Sequence, residues 1–178
     1  MEKLLKIPYK VFNDWDLLQQ FLERRGNPKY ELVGDVDLDR RKDIFNLGNL
    51  VRVAGDLYLE KSSIKSLGSL EYVGGSLILD DSQIKSLGNL EYVGDGLFLH
   101  NTPIESIENF KYVGGTLGLY RSSIHSLINI EYIGGNLDLR QTPIQLLKNL
   151  EHVDGNIWLN RNHQIPEEQL TKFKIYYI

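Results

Sequence analysis

A repeat of 20 residues runs through most of this chain, and it limits the fold more than any other feature. Leu47, Leu67, Leu87, Ile107, Leu127 and Leu147 form one apolar column. Parallel columns start at Leu50, Val53 and Leu57, and the positions from Leu59 to Leu159 are leucine at every step. A further column, Ile64, Ile84, Ile104, Ile124 and Ile144, slips by one residue to Ile165. One unit cannot bury these positions alone, so successive units must stack and share one continuous core.

Twenty residues leave little room for a strand, two corners and a full helix. The stretch Leu77-Ile78-Leu79-Asp80 alternates at period two and predicts a strand. The stretch Leu70-Glu71-Tyr72-Val73 is either a second short strand or a 3₁₀ turn. A glycine pair follows, and its second member reads Gly55, Gly75, Asp95, Gly115, Gly135 and Gly155, which predicts a corner with positive φ. Gly48, Gly68 and Gly88 give way to Glu108, Ile128 and Lys148, so that position does not demand glycine. Ser62, Ser82, Thr102, Ser122, Thr142 and Asn162 form one polar column, and Asn49, Ser69, Asn89, Asn109, Asn129 and Asn149 another. Both are expected to satisfy backbone groups left open at corners. An irregular earlier turn carries one inserted residue near Arg40-Arg41-Lys42 and brings the total to about seven turns.

The segment Leu77-x-Leu79-x-x-Ser82-x-Ile84 resembles the leucine-rich-repeat pattern L-x-L-x-x-N-x-L. The fuller unit from Leu67 to Leu79 is similar to the short repeats of receptor L-domains and of bacterial and phage leucine-rich proteins. The resemblance covers roughly residues 30 to 165. It implies a mainly β, right-handed parallel solenoid that binds a protein on its parallel sheet. Three segments are expected in one folded unit: an N-terminal helical cap (1–29), the solenoid (30–163) and a C-terminal cap (164–178). Asn13 or Asp14 caps a predicted helix over 14–25, with Trp15, Leu18, Phe21 and Leu22 on one face, Arg24 and Arg25 in its last turn and Gly26 after it. Pro166 is placed at the first position of a second short helix, and 175–178 is read as a terminal strand or plug.

Composition narrows function by exclusion. The 178 residues include no cysteine, which removes disulfides, thiolate zinc sites and a cysteine nucleophile. A net charge of -4 argues against nucleic-acid binding. The chain shows neither a membrane span nor an apolar leader, so a cytoplasmic location is expected. His100, His125, His152 and His163 have no metal-ligand spacing and read as surface substitutions. No phosphate-cradling motif occurs, and no enzyme activity, metal or cofactor is expected.

The outward positions of the leucine strands vary from turn to turn while the core repeats. Tyr58, Ile78, Phe98, His100, Tyr120, Arg121, Asp138, Arg140 and Trp158 are the candidate partner-binding residues, expected to point away from the core. Asp35, Asp37, Asp39, Asp56, Glu60, Asp80 and Asp81 form a candidate acidic rim. Tyr72, Tyr92, Tyr112 and Tyr132 repeat on the opposite side, and their identity predicts a stacking ladder. Beside them Glu71, Glu91, Lys111, Glu131 and Glu151 read as a solvated stripe. The favoured function is a non-enzymatic protein-binding module, an adaptor or inhibitor, monomeric or weakly self-associating. The alternative is a β-helical carbohydrate-binding or carbohydrate-active protein using the acidic cluster, with Trp158 or Tyr120 as sugar platforms.

Overall fold

The computed structural model describes residues 4–107 and 110–178. Glu108 and Asn109, and the chain start at residues 1–3, therefore lie outside the described residues. The chain winds into a parallel-strand β-solenoid of about seven turns with two eight-stranded sheets. The first sheet runs Leu5–Pro8, Tyr30–Val33, Leu50–Val53, Tyr72–Val73, Tyr92–Val93, Tyr112–Val113, Tyr132–Ile133, His152–Val153. The second runs Val36–Asp37, Leu57–Tyr58, Leu77–Ile78, Leu97–Phe98, Leu117–Gly118, Leu137–Asp138, Ile157–Leu159, Ile175–Tyr177. The segment at Tyr72 is thus a strand. Bridges Asn46–Ser66, Ser66–Ser86 and Ser126–Leu146 mark a third side.

Each turn pairs with the next at the sequence period, as in Leu77 with Leu97 and Leu117 with Leu137. The apolar columns therefore stack directly, and Leu57, Leu77, Leu97, Leu117, Leu137 and Ile157 are all fully buried in one core. The early turn keeps an offset of 21, with Val36 beside Leu57. Its register with the first sheet shifts at Tyr30/Glu31, where Leu50 and then Arg52 are the partners and Val51 is the extra residue.

Hydroxyls of the Ser/Thr column close the tight turn after three of the leucine strands, while Ser122 Oγ is buried without a partner. Ser62 Oγ, Thr102 Oγ1 and Thr142 Oγ1 each donate at 2.7 Å to the carbonyl of the leucine three residues back. The column one position earlier has φ between 54° and 59°: Arg40, Lys61, Asp81, Asn101, Arg121 and Gln141. Positive φ at the third turn residue is the mark of a type II turn. In the other bend, Asn49 and Asn149 donate to the carbonyls of Asn27 and Ile128 in the preceding turn.

The glycine pair is not a positive-φ corner. The glycines with positive φ are Gly26, Gly34, Gly48, Gly68 and Gly88. Space, not φ, explains the pair. A Cβ on Gly135 would lie 2.7 Å from both Gly115 C and Thr116 N, and one on Gly114 would overlap the Gly94 carbonyl. Gly48, Gly68 and Gly88 are the positions that use left-handed φ, with Ser66 and Ser86 hydroxyls accepting the N–H of Gly68 and Gly88.

At the N-terminal end the helix is Trp15–Glu23. Asp14 Oδ1 accepts the N–H groups of Asp16 and Leu17 at 2.8 and 3.0 Å, so Asp14 is the cap. Asn13 instead closes a preceding short helix, Tyr9–Phe12, with φ 43°. Trp15, Leu18 and Leu22 enter the main core. The helix ends before the two arginines: Arg24 is its C-terminal boundary, and Arg25 lies 3.7 Å over the Phe21 ring. The edge strand Leu5–Pro8, paired with Tyr30–Val33, is an addition to the expected helix. At the other end Pro166 precedes a 3₁₀ turn, Glu167–Gln169, and does not occupy its first position. Gln169 accepts the Leu147 N–H, Leu170 is buried, and Ile175–Tyr177 extends the second sheet. Among the described residues no helix is long and apolar enough to cross a membrane.

Candidate interaction face

Alternation along the second sheet sends leucines inward and one or two variable side chains per turn outward. Phe98 leans over Gly96, where a Cβ would sit 2.7 Å from the ring Cζ. The His100 ring fills the space over Gly118, 2.5 Å from where a Cβ would be. Phe98 and His100 are 6.2 Å apart between centroids, and His100 meets Tyr120 edge-on at 6.3 Å. His100 Nδ1 accepts the Tyr120 N–H at 3.0 Å, while the His100 N–H donates to Asp80 Oδ1 at 2.8 Å.

Arg140 continues this chain of contacts. Its guanidinium lies 5.3 Å from the Tyr120 centroid and 4.9 Å from the Trp158 centroid. Asp138 holds it through two charge-assisted bonds of 2.8 and 2.5 Å, which raise the guanidinium pKa. Asp138 also accepts the Arg140 N–H at 3.1 Å. Arg121 approaches Tyr120 at 5.2 Å and donates to Gln141. The structure therefore joins Phe98, His100, Tyr120, Arg121, Asp138, Arg140 and Trp158. Tyr58 and Ile78 lie outside these ring contacts, with the Tyr58 hydroxyl donating to Asp56 at 3.0 Å.

Two expectations change. Asp138 is 7 % exposed and serves as the counter-ion of Arg140, so it does not present a free acid. The histidines are not all surface substitutions. His100 is built into the sheet, and the His163 side chain is 9 % exposed with its ring stacked 5.7 Å from Tyr177.

The acidic rim is largely a set of backbone acceptors. Asp35 accepts the Asp56 N–H at 2.9 Å, Asp56 that of Ser76 at 2.7 Å, and Asp39 that of Glu60 at 2.6 Å. Asp80 does the same for His100, and Asp37 bonds the Asp39 N–H. Burial raises the carboxyl pKa of Asp39 and Asp80, although the accepted N–H groups pull the other way. Glu60 pairs with Lys61, which also lies 3.8 Å from Asp81. Among the described residues no group of three or more His, Cys, Asp or Glu could hold a metal.

A polar column at the period carries this acceptor role at Asp56, Ser76, Thr116 and Asn136, and Asn156 continues it in sequence. Thr116 and Asn136 accept N–H groups from the following turn at 3.3 and 2.9 Å. Only the turn reading Asp95-Gly96 breaks the column, by exchanging the order of glycine and acceptor.

On the first sheet Tyr72, Tyr92, Tyr112 and Tyr132 stack at 4.8, 5.3 and 5.0 Å with planes within 7°. Arg52 covers one end at 4.1 Å, and His152 tilts at the other. Tyr132 donates to Asp154 at 2.5 Å, which raises the phenol pKa. The neighbouring Glu71, Glu91, Lys111, Glu131 and Glu151 are exposed, with Lys111 and Glu131 paired at 3.3 Å. One face is thus uniform and the other differs in every turn.

Comparison with protein-family models, curated proteins and solved structures finds no match.

Proposed function

We propose that this chain is a non-enzymatic protein-binding module of leucine-rich-repeat type, an adaptor or inhibitor that takes its partner on the outer face of the second sheet. In this reading the solenoid is right-handed. The segment 1–29 and the segment 164–178 cap its two ends, where bare strand edges and apolar core invite aggregation. A cytoplasmic setting suits a chain without cysteine.

The observation that carries the reading is the contrast between the two sheets. The first sheet repeats tyrosine. The outward residues of the second change from one turn to the next over a repeating apolar core, and Arg140 is held by Asp138 while Phe98 and His100 pack over Gly96 and Gly118. A surface ordered before binding loses little entropy when a partner arrives. Aromatic and arginine side chains supply the large contacts that dominate protein interfaces. The carbohydrate reading has less support. The carboxylates of Asp35, Asp39, Asp56 and Asp80 are engaged with backbone N–H groups. Arg140 covers one face each of Tyr120 and Trp158, the intended sugar platforms.

A photo-crosslinking amino acid at position 98, compared with one at position 112, tests the reading in an extract of the native host. Position 98 should yield one dominant protein adduct and position 112 none. Adducts only from 112, or retention of the chain on glycans with no protein adduct, would overturn it.

A further inference from the structure

The charge order along the second sheet identifies a partner. Asp80 and Asp81 lie in an early turn and Arg121 and Arg161 in late ones, while Glu60 and Arg140 are paired within the chain with Lys61 and Asp138. The strands stack in constant register from Leu57 to Trp158, so the outward columns are straight. We propose that this face docks a second copy of the chain, face to face, about a two-fold axis that lies in the interface along the strand direction. The proposal rests on the reading that this sheet is the binding face, and it names the partner.

Such an axis reverses the order of turns and leaves sideways position unchanged. Each column therefore meets itself running the other way. With the axis at the central turn, that of Phe98 and His100, Asp81 meets Arg121 of the other copy, while Glu60 and Arg140 come opposite one another with their own counter-ions, Lys61 and Asp138. Each pairing occurs twice. Ile78 comes opposite Gly118, where it meets the His100 ring that lies over the glycine. A two-fold along the solenoid axis would instead keep the turns in order and set acid against acid. The far turns limit the affinity, since Arg40 and Arg161 arrive opposite one another with Asp39 beside them.

Seven strands spaced about 4.8 Å apart and roughly three residues wide present about 300 Å² of flat face. A standard interface takes about 800 Å² from each partner. The dimer is accordingly weak, reversible and salt-sensitive.

Charge exchange at the rim tests the geometry. Asp81 and Arg121 are exposed and occupy the same left-handed column, at φ 56° and 58°. Asp81→Arg and Arg121→Asp therefore place in each turn a residue type that this column already holds. Sedimentation velocity of the full chain, up to roughly millimolar concentration at low salt, should show self-association that fades at high salt. Each variant should weaken association about tenfold. An equimolar mixture of the two should recover it, because the new arginine of one variant then meets the native arginine's replacement, an aspartate, on the other. Asn101→Cys puts a single thiol on the axis, and a short bismaleimide should couple it into a dimer, whereas Glu71→Cys on the opposite sheet should stay uncoupled.

A wild-type chain that stays monomeric throughout overturns the proposal, as does a mixture that fails to recover. If the chain is monomeric but a crosslinker at position 98 still captures a different protein, the binding face stands and the second copy is the wrong partner. If neither is seen, both readings fall.

Discussion

Replacing Arg140 by alanine should cost stability as well as contact surface. The pair it leaves is poorly hydrated: the Asp138 side chain is 10 % exposed and that of Arg140 29 %. Truncating one partner of a buried ion pair costs roughly 3–5 kcal/mol, because the other charge is stranded. Asp138 keeps one backbone N–H, at 3.1 Å, and water can reach part of the vacated space. We therefore set the loss at about 2 kcal/mol, reduced from that range. For a chain of this size each kcal/mol moves the midpoint about 2–4 °C, so thermal unfolding should fall by about 4–8 °C. Asp138→Asn on the same background removes the stranded charge. The double variant should then be more stable than the sum of the two single losses by about 1 kcal/mol. Denaturant unfolding of the four proteins gives the cycle. A midpoint for Arg140→Ala within about 1 °C of wild type, or strict additivity, would show that the Asp138–Arg140 pair does not hold the platform.

Further outcomes follow from the geometry. Gly135→Ala should lower stability by about 1–3 kcal/mol, since its Cβ meets backbone of the preceding turn at 2.7 Å, whereas alanine at Gly88, where the Gly68 carbonyl oxygen lies at an ordinary contact of 3.5 Å, should register only the strain of its left-handed φ. Equal melting of the two alanine variants would contradict the distinction. Tyr112→Ala should interrupt the ladder at its middle and lose about 1–3 kcal/mol, two ring contacts plus the apolar area they cover, measured by urea unfolding. Asp80→Asn should raise the melting temperature at neutral pH. Its folded pKa lies above the ordinary carboxylate value, so the charged form opposes folding above the folded pKa, and that penalty vanishes as pH falls below the unfolded value. The gap between variant and wild type should therefore close in acid, and a gap that widens there would refute the assignment.

The stacked core was legible because identical apolar positions at one period leave a single arrangement that buries them all. The hydroxyl column, the tyrosine ladder and the helix carrying Trp15, Leu18 and Leu22 were legible for the same reason: their residue types repeat or alternate. The glycine pair was misread because glycine answers two demands, positive φ and close approach, and the sequence does not separate them. Only the distance to the preceding turn decides. The opposite error hides the Arg40–Gln141 column. It holds six left-handed residues without a glycine, since each of the first five bonds its N–H to the next turn, as Lys61 does to the Asp80 carbonyl at 2.8 Å. Asp138 and Arg140 stand two apart, at the end of a strand and in the turn after it, so their shared side was readable. Their mutual burial was not, because it depends on Tyr120 and Trp158 closing over the guanidinium from neighbouring turns. The strand Leu5–Pro8 matches no repeat position and is specified only by the edge it covers.

The central claim is that the variable sheet, and not the tyrosine sheet, is the recognition face. Its most direct test is the affinity of the chain for the protein captured at position 98, measured by calorimetry with wild type, Phe98→Ala and Tyr112→Ala. Phe98→Ala should weaken binding by about thirtyfold, the effect of losing an aromatic anchor of about 2 kcal/mol, while Tyr112→Ala should bind as wild type does. Unchanged affinity for Phe98→Ala together with a large loss for Tyr112→Ala would contradict the account.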